Sequence, residues 1–326
     1  ASFSPPASPV VLHALHGETM GTTGSVRLVD SPRADLHGLH ALVQAELDQV
    51  IAQMSTWETD SDISRFNRAA PGHAQDLPPA FYTVLRCALE IAEASEGAFD
   101  PTIGPLVGLW GFGAQAGARR VPDDATRAST RALVGWRRLS LDAANRRLLQ
   151  PGGVQLDLSA IAKGHAVDAV AARLRARGIG AALVEVGGEL YGYGRKPDGE
   201  HWRVLIESSP EEEEAAGLAP RIALLDDLAV ATSGDRWHWY EQDGERHAHT
   251  IDPRTGQAVS GTRAAVTVLA PSAMEADGWA TALTVLGADA GLRLAERIGL
   301  AARFVIRAGG TLEERASPRF ASYLAP

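Results

Sequence analysis

QLDLSAIAKGHAVDAVAARL (Gln155–Leu174) reads as the end of a strand feeding a helix, with an acid and a lysine at the junction. Val154, Leu156 and Leu158 alternate as in a half-buried strand, and Ser159 stands where a cap is needed. Ile161, Val167, Val170, Ala171 and Leu174 then recur at helical spacing until Arg177-Gly178. Asp157 and Lys163 therefore sit at a helix N-terminus. That end carries about half a positive charge, so a lysine in the first turn calls for an anion beside it, either Asp157 or a bound phosphate. A salt-bridged structural lysine satisfies the same argument, and this stretch alone leaves both readings open.

Composition adds weight to Lys163. Of 31 basic residues only Lys163 and Lys196 are lysines, the rest arginines. A compact ammonium suits a single phosphate oxygen better than a planar fork does. The chain has 326 residues, 45% of them hydrophobic and 22% charged, enough for one large core or two closely joined lobes. A net charge of −9 without a basic cluster argues against nucleic acid as the main partner. No apolar run reaches the roughly 18 residues of a membrane helix. The opening ASFSPPASPVVLHALHG has no initiator Met and a Pro/Ser-rich arm. It suggests an exported, periplasmic chain whose signal has been removed, with residues 1–16 a flexible arm and 17–326 the folded domain. Cys87 lies among helically spaced apolar residues and reads as core.

Upstream of the opening stretch, GETMGTTGSVRLVD (Gly17–Asp30) reads as a turn into a strand, with Met20 either near a ligand or merely in the turn. Leu36 to about Met54 is a helix with Leu39, Leu42, Val43, Leu47, Val50 and Ile51 on one face; Trp57 follows among polar residues, stacking on a ligand or covering the core edge. A second helix spans about Pro79 to Glu96 and closes at Gly97. AFDPTIGPLVGLWGFG (Ala98–Gly113) is too apolar for a solvated loop and too broken for a long helix. It reads as a rigid pocket wall with Asp100 fixed by Pro101, or as a packed interdomain loop.

Downstream, AALVEVGGELYGYG reads as a buried strand broken by Gly187-Gly188. His201–Glu207 and Ile222–Thr232 are expected strands, the second ending in Thr232, Ser233 and Asp235. PEEEEAAG is expected to be a solvated acidic loop. His247 and His249 alternate ahead of the Asp252–Gly256 turn; without a third ligand they are weak evidence for zinc, and His249 is a candidate general base. AAVTVLA is a strand. Ser272-x-x-Glu275 opens a helix, Ala273–Leu286, that Gly287 should stop. Within it Asp277 and Thr281 share a face, four apart. They offer either hard oxygens of the kind Mg²⁺ accepts or a surface Asp beside a back-bonded Thr. Beyond Leu292 the pattern is helix, strand (ARFVIRA) and a closing segment.

Taken in order, TMGT at Met20, MSTW…SRFN around Trp57, AFDPTIGPLVGLWGFG, DLSAIAKGHAVD, VEVGGEL, ATSGD, HTIDPRTG and ADGWATALTVLG resemble the ApbE family, the FAD:protein FMN transferases, over about Gly17 to Ala295. The resemblance implies an α+β fold of two intimately joined α/β lobes with mixed or antiparallel sheets and an FAD cleft between them. It implies that Met20 and Trp57 contact the flavin nucleotide, that Ala98, Phe99 and Asp100 line the FAD site, that Asp157 and Lys163 bind FAD, and that Ile251 sits beside it. Magnesium would take the carbonyl of Ala160 with the side chains of Asp277 and Thr281; His249 and Asp277 would be the catalytic pair. Ser159 and Ala160 replace the family's usual glycines, Gly24 stands where an aromatic is common, and the start has no lipobox cysteine.

The implied reaction is Mg²⁺-dependent transfer of FMN from FAD to a Thr or Ser hydroxyl of a target flavoprotein, as a phosphoester, with release of AMP. The implied acceptor is an FMN-binding domain of a respiratory or ion-pumping redox complex. The rival readings are a Mg²⁺-dependent FAD pyrophosphatase and a non-catalytic periplasmic flavin-binding maturation protein.

Overall fold

The computed structural model describes residues 9–114, 119–206, 210–234, 239–242, 244–260 and 263–326. Its centre is an eight-stranded sheet in which every neighbouring pair is antiparallel. The strands are β1 (Val11–Thr19), β2 (Thr22–Asp30), β3 (Ala182–Val186), β4 (Glu189–Tyr193), β5 (Leu228–Gly234), β6 (Arg263–Ala270), β7 (Ala301–Ala308) and β8 (Thr311–Ala316), and they lie side by side in chain order. After Asp30 the chain leaves the sheet and returns beside the strand it left, with Gly24 opposite Val186. The long helices are α1 (Leu36–Met54), α2 (Pro79–Ala94), α3 (Ser159–Ala176) and α4 (Ala273–Ile298).

Alternation along the strands sends residues to two different cores. Ala182, Val184, Val186, Ala229, Ala231, Val266 and Val268 join the main core with the four helices. Leu228, Val230 and Leu269 face the other way, under the ribbon Trp202–Ile206/Arg221–Leu225 and the turn Pro318–Tyr323. Because both faces are covered, these strands read as nearly unbroken apolar runs. A small antiparallel sheet (Trp239–Gln242, Glu245–Ile251, Ala258–Ser260) and the segment 98–113 form the second, lesser body. The α+β, antiparallel expectation holds. No helix among the described residues is long and apolar enough to cross a membrane.

Several sequence expectations are corrected. Residues 11–16 are not arm but part of β1, joined to β2 by a turn in which Met20 and Gly21 both take positive φ, 50° and 70°; residues 1–8 lie outside the described set. The extended stretch 154–158 is not a strand. Side chains replace its ladder: Asn67 exchanges two bonds with the Leu156 backbone at 2.7 and 2.9 Å, and Gln150 receives the Val154 amide and donates to its carbonyl. Gly187-Gly188 is not a break within a strand but the two-residue turn between β3 and β4, with φ of 62° and 102°, as a primed hairpin turn requires.

Ile222–Thr232 proves to be two strands, Arg221–Leu225 and β5, separated at Asp226-Asp227, where Asp227 has φ 52°. PEEEEAAG carries a short helix, Pro210–Ala215, held because Glu213 is buried against Arg303 at 3.1 Å. Gly287 leaves the helical region (φ 77°, ψ 173°) and stops the first helix after Leu286 as expected; what the sequence did not show is a second helical stretch that follows directly across the kink, to Ile298, and stops at Gly299, φ 69°. α1 spans the residues expected, with Asp35 capping Gly38 N at 2.9 Å. Cys87 is buried, and burial pushes its thiol pKa up to about 12, as a core position should. Asp235 lies outside the described residues.

Candidate active site

α3 crosses α4 at Gly164. A β-carbon there would lie 2.2 Å from the Ala273 carbonyl oxygen, so only glycine lets the helices approach this closely. Two carboxylates close the crossing in opposite directions. Asp168 of α3 accepts the first amides of α4, Ala273 N at 2.8 Å and Met274 N at 2.9 Å, while Ser272 Oγ accepts Glu275 N at 3.2 Å. Asp277 of α4 accepts the Gly164 amide through Oδ2 at 3.0 Å. The helix start is thereby satisfied by side chains, and the position of Asp277 relative to Lys163 is fixed.

Lys163 does not pair with Asp157. Its Nζ lies 2.9 Å from Glu189 Oε1 and 3.8 Å from Asp277 Oδ2. Both acids are only about 4% exposed, and among the described residues Glu189 Oε2 has no hydrogen-bond partner. Burial raises the Glu189 pKa, the Asp277 charge raises it further, and Lys163 only partly opposes them. Burial likewise raises Asp277, against the pull of Lys163 and of the Gly164 amide. On Lys163 itself burial acts downward, but the two carboxylates outweigh it and hold the ammonium charged. Asp157 instead bonds locally, just ahead of the helix: Oδ1 accepts Ser159 N at 2.9 Å and Ser159 Oγ at 2.6 Å, so Ser159 is the first helical residue and not the cap, a position that Leu158 holds.

These groups open on a cleft of about 890 Å³ between the large sheet and the smaller body. Lys163, Asp157, Ala160, Asp277 and Thr281 line one side. Thr281 Oγ1 is 3.1 Å from Ser233 Oγ, at the end of β5. Ala98, Phe99 and Asp100 line the other side with Phe112, His249 and Ile251, and Trp57 stands at the surface, 70% exposed. His249 meets the Phe112 ring edge-on, centroids 6.3 Å apart. Asp100 binds Thr102 N and Oγ1 at 2.8 and 2.7 Å and Trp136 N at 3.0 Å; burial nevertheless raises its pKa. The buried Trp110 ties this side to the Asp252–Gly256 turn by donating Nε1 to Gly256 O at 2.8 Å.

One sequence-predicted residue stands apart. Met20 is not among the residues lining the cleft; its side chain packs on the main core. His247 packs against Trp110, 5.7 Å between centroids, and does not line the cleft. Among the described residues no three His, Cys, Asp or Glu side chains gather as a metal cluster.

The sequence model of the ApbE family matches residues 20–304. The chain belongs to the ApbE family. It is 36% identical to the FAD:protein FMN transferase of Klebsiella pneumoniae, over 99% of this chain and 93% of that one, and 37% identical to that of Vibrio cholerae, over 95% and 92%. The crystal structure of the Pseudomonas stutzeri flavinyl transferase ApbE in its apo form superposes with a TM-score of 0.88 at 41% identity, covering 96% of this chain and 97% of that one. The Vibrio cholerae flavin transferase ApbE gives 0.88 at 37% identity, covering 97% and 100%.

Two departures from the ApbE pattern have local causes. At Gly24 a β-carbon would lie 3.3 Å from the Glu185 carbonyl oxygen of β3, tighter than an ordinary contact, which favours glycine here. Ser159 contributes its hydroxyl to Asp157, which compensates for a less flexible backbone at the helix start. Sequence reading missed Glu189, Asp168 and Asn67. Glu189 follows the Gly-Gly turn directly, and an acid flanking such a turn on an apolar strand was the available signal.

Proposed function

We propose that the cleft binds FAD and that this chain transfers the FMN half to a Ser or Thr hydroxyl of a protein acceptor, releasing AMP. What carries the reading is that one cleft joins an apolar, aromatic side to a charged helix crossing. Its volume of about 890 Å³ is near the top of the roughly 300–1,000 Å³ typical of small-molecule sites. A flavin ring suits the first side, and a pyrophosphate suits the second.

The donors fit a magnesium ion. Asp277 and Glu189 are two buried carboxyl groups sharing one ammonium, burial raises the pKa of both, and Glu189 Oε2 is unpartnered among the described residues, a strain that a divalent cation would relieve. Asp277, Thr281 and the Ala160 carbonyl, hard oxygens on one side of the cleft, would hold the ion. Bound there, magnesium would supply charge neutralisation to the pyrophosphate. Lys163 presents its remaining N–H to the same group. His249, across the cleft, takes the proton of the acceptor hydroxyl. That oxygen bonds to the FMN phosphorus as the bond to the bridging oxygen breaks, and AMP leaves carrying the bridging oxygen.

Incubation with FAD, Mg²⁺ and an isolated FMN-binding domain tests this. The expected result is a fluorescent, covalently flavinylated acceptor in a denaturing gel with one AMP per flavin. AMP without covalent flavin would replace the proposal with a pyrophosphatase. FAD binding that is indifferent to Asp277→Ala, with no AMP, would reduce the chain to a flavin carrier.

A further inference from the structure

The cations lining the cleft are Lys163 and Arg119, set against the carboxylates of Asp100, Asp157, Glu189 and Asp277 among the described lining residues. Lys163 is already committed to Glu189 and Asp277. Arg119 is exposed and, among the described residues, pairs with no carboxylate. Its guanidinium lies over the Phe112 ring, 5.6 Å from the centroid, on the ring that His249 meets edge-on. Such stacking orients a guanidinium while leaving its N–H edge unspent.

The chain is shaped to bring Arg119 there. Gly111 has φ 81°, and a β-carbon on it would fall 2.7 Å from Arg119 Cα, so glycine is required for the backbone at Arg119 to lie against this side. A pyrophosphate diester carries two negative charges spread over two phosphates, and besides Lys163, which its own acids largely neutralise, Arg119 is the other cationic side chain among the described lining residues. A guanidinium fork meets phosphate oxygens in two parallel bonds.

We propose that Arg119, held over the Phe112 ring, binds a phosphate of the dinucleotide and so makes the cleft select a pyrophosphate-bearing flavin over riboflavin. The inference rests on the FAD reading above and extends it to a residue that provides ligand specificity. Arg119 contributes binding and selectivity, whereas His249 moves the proton.

The test is a fluorescence titration without acceptor, using FAD and riboflavin as separate probes. Arg119→Ala should weaken FAD binding about ten-fold, the lower end for a hydrogen bond to a charged group, and leave riboflavin binding unchanged. Arg119→Lys should regain only part of the loss. An unchanged thermal midpoint checks folding, as expected for an exposed side chain. Unaltered FAD affinity overturns the proposal, as does an equal loss for both probes, which would mean that Arg119 only shapes the Phe112 wall. A raised acceptor KM with normal FAD affinity also overturns it, because Arg119 would then contact the acceptor protein. Flavin transfer and AMP release by the unaltered protein are measured separately, so the proposed activity and this selectivity fail independently.

Discussion

The two sides of the cleft are held by different forces. At the crossing of α3 and α4, buried carboxylates fix the geometry through amides and one ammonium: Asp168 on the start of α4, Asp277 on Gly164 N, Glu189 on Lys163. The side built from 98–113 and the 245–260 sheet relies on apolar packing of Leu106, Trp110, Phe112 and Ile251 and on the Trp110 indole bond to Gly256. Charge placed on regular helices gives directional constraint where phosphate chemistry needs it. Packing on an irregular segment gives a flat apolar surface where a ring system needs only area. Substitutions on the first side should therefore disturb stability and site together, and those on the second should separate them.

The harshest test is Gly164→Ala. The added methyl meets a backbone carbonyl at 2.2 Å, which no rotamer relieves, so denaturant unfolding should show a loss of about 3 kcal/mol or more. A loss below about 1 kcal/mol would mean that the crossing is looser than described. Lys163→Ala comes next. Position at a helix start suggests a change that spares the fold, but removing the ammonium leaves Glu189 and Asp277 buried together. Breaking a buried ion pair costs about 3–5 kcal/mol. Lys163 is about 30% exposed, so the lower end is expected, alongside loss of FAD affinity in the same variant.

Asp168→Asn is milder, because one of two amide bonds to α4 can remain; about 1 kcal/mol is expected. This variant also carries a pH signature. Burial raises Asp168 from 3.8 to about 6. Between those values the folded protein holds a proton that the unfolded chain has released, so stability falls as pH rises through the window and levels off above about 6. Asp168→Asn should remove that component from a series of melts at pH 4 to 7. Trp57→Ala tests the other side and should be smallest in stability, within about 0.5 kcal/mol for so exposed a residue. It should still weaken flavin binding roughly two- to ten-fold, as lost aromatic contact predicts. A stability loss matching that at Lys163 would erase the contrast between the two sides.

Much of this was legible where a local pattern decides structure. α1 carries a full apolar stripe behind a capping Asp, and it forms over the residues its periodicity marks. Asp277 and Thr281 are four apart on a helix, which places them together whatever the tertiary arrangement. What escaped depends on partners distant in the chain. The alternation at 154–158 is real burial, but Asn67 supplies hydrogen bonds that a neighbouring strand would have made. PEEEEAAG has the composition of a solvated loop, and only Arg303 in β7 explains why one of its glutamates is buried. The partner of Lys163 was sought in Asp157, the acid at the same helix start, yet a carboxylate 26 positions away reached it through the β3–β4 turn.

The strict chain order of the sheet also bears on how the protein is made. Consecutive strands are neighbours throughout, but β2 and β3 are separated by about 150 residues that supply nearly half of the cleft lining. At roughly 5–20 residues per second of synthesis, β2 waits on the order of 8–30 s for its partner. For that interval the first hairpin is an isolated two-stranded ribbon, marginal in water and open along one edge. Any second chain emerging nearby offers an identical β3. Strand exchange between copies, more than misassembly of the helix crossing, is the error this topology invites, and the long excursion between β2 and β3 is what opens the window for it.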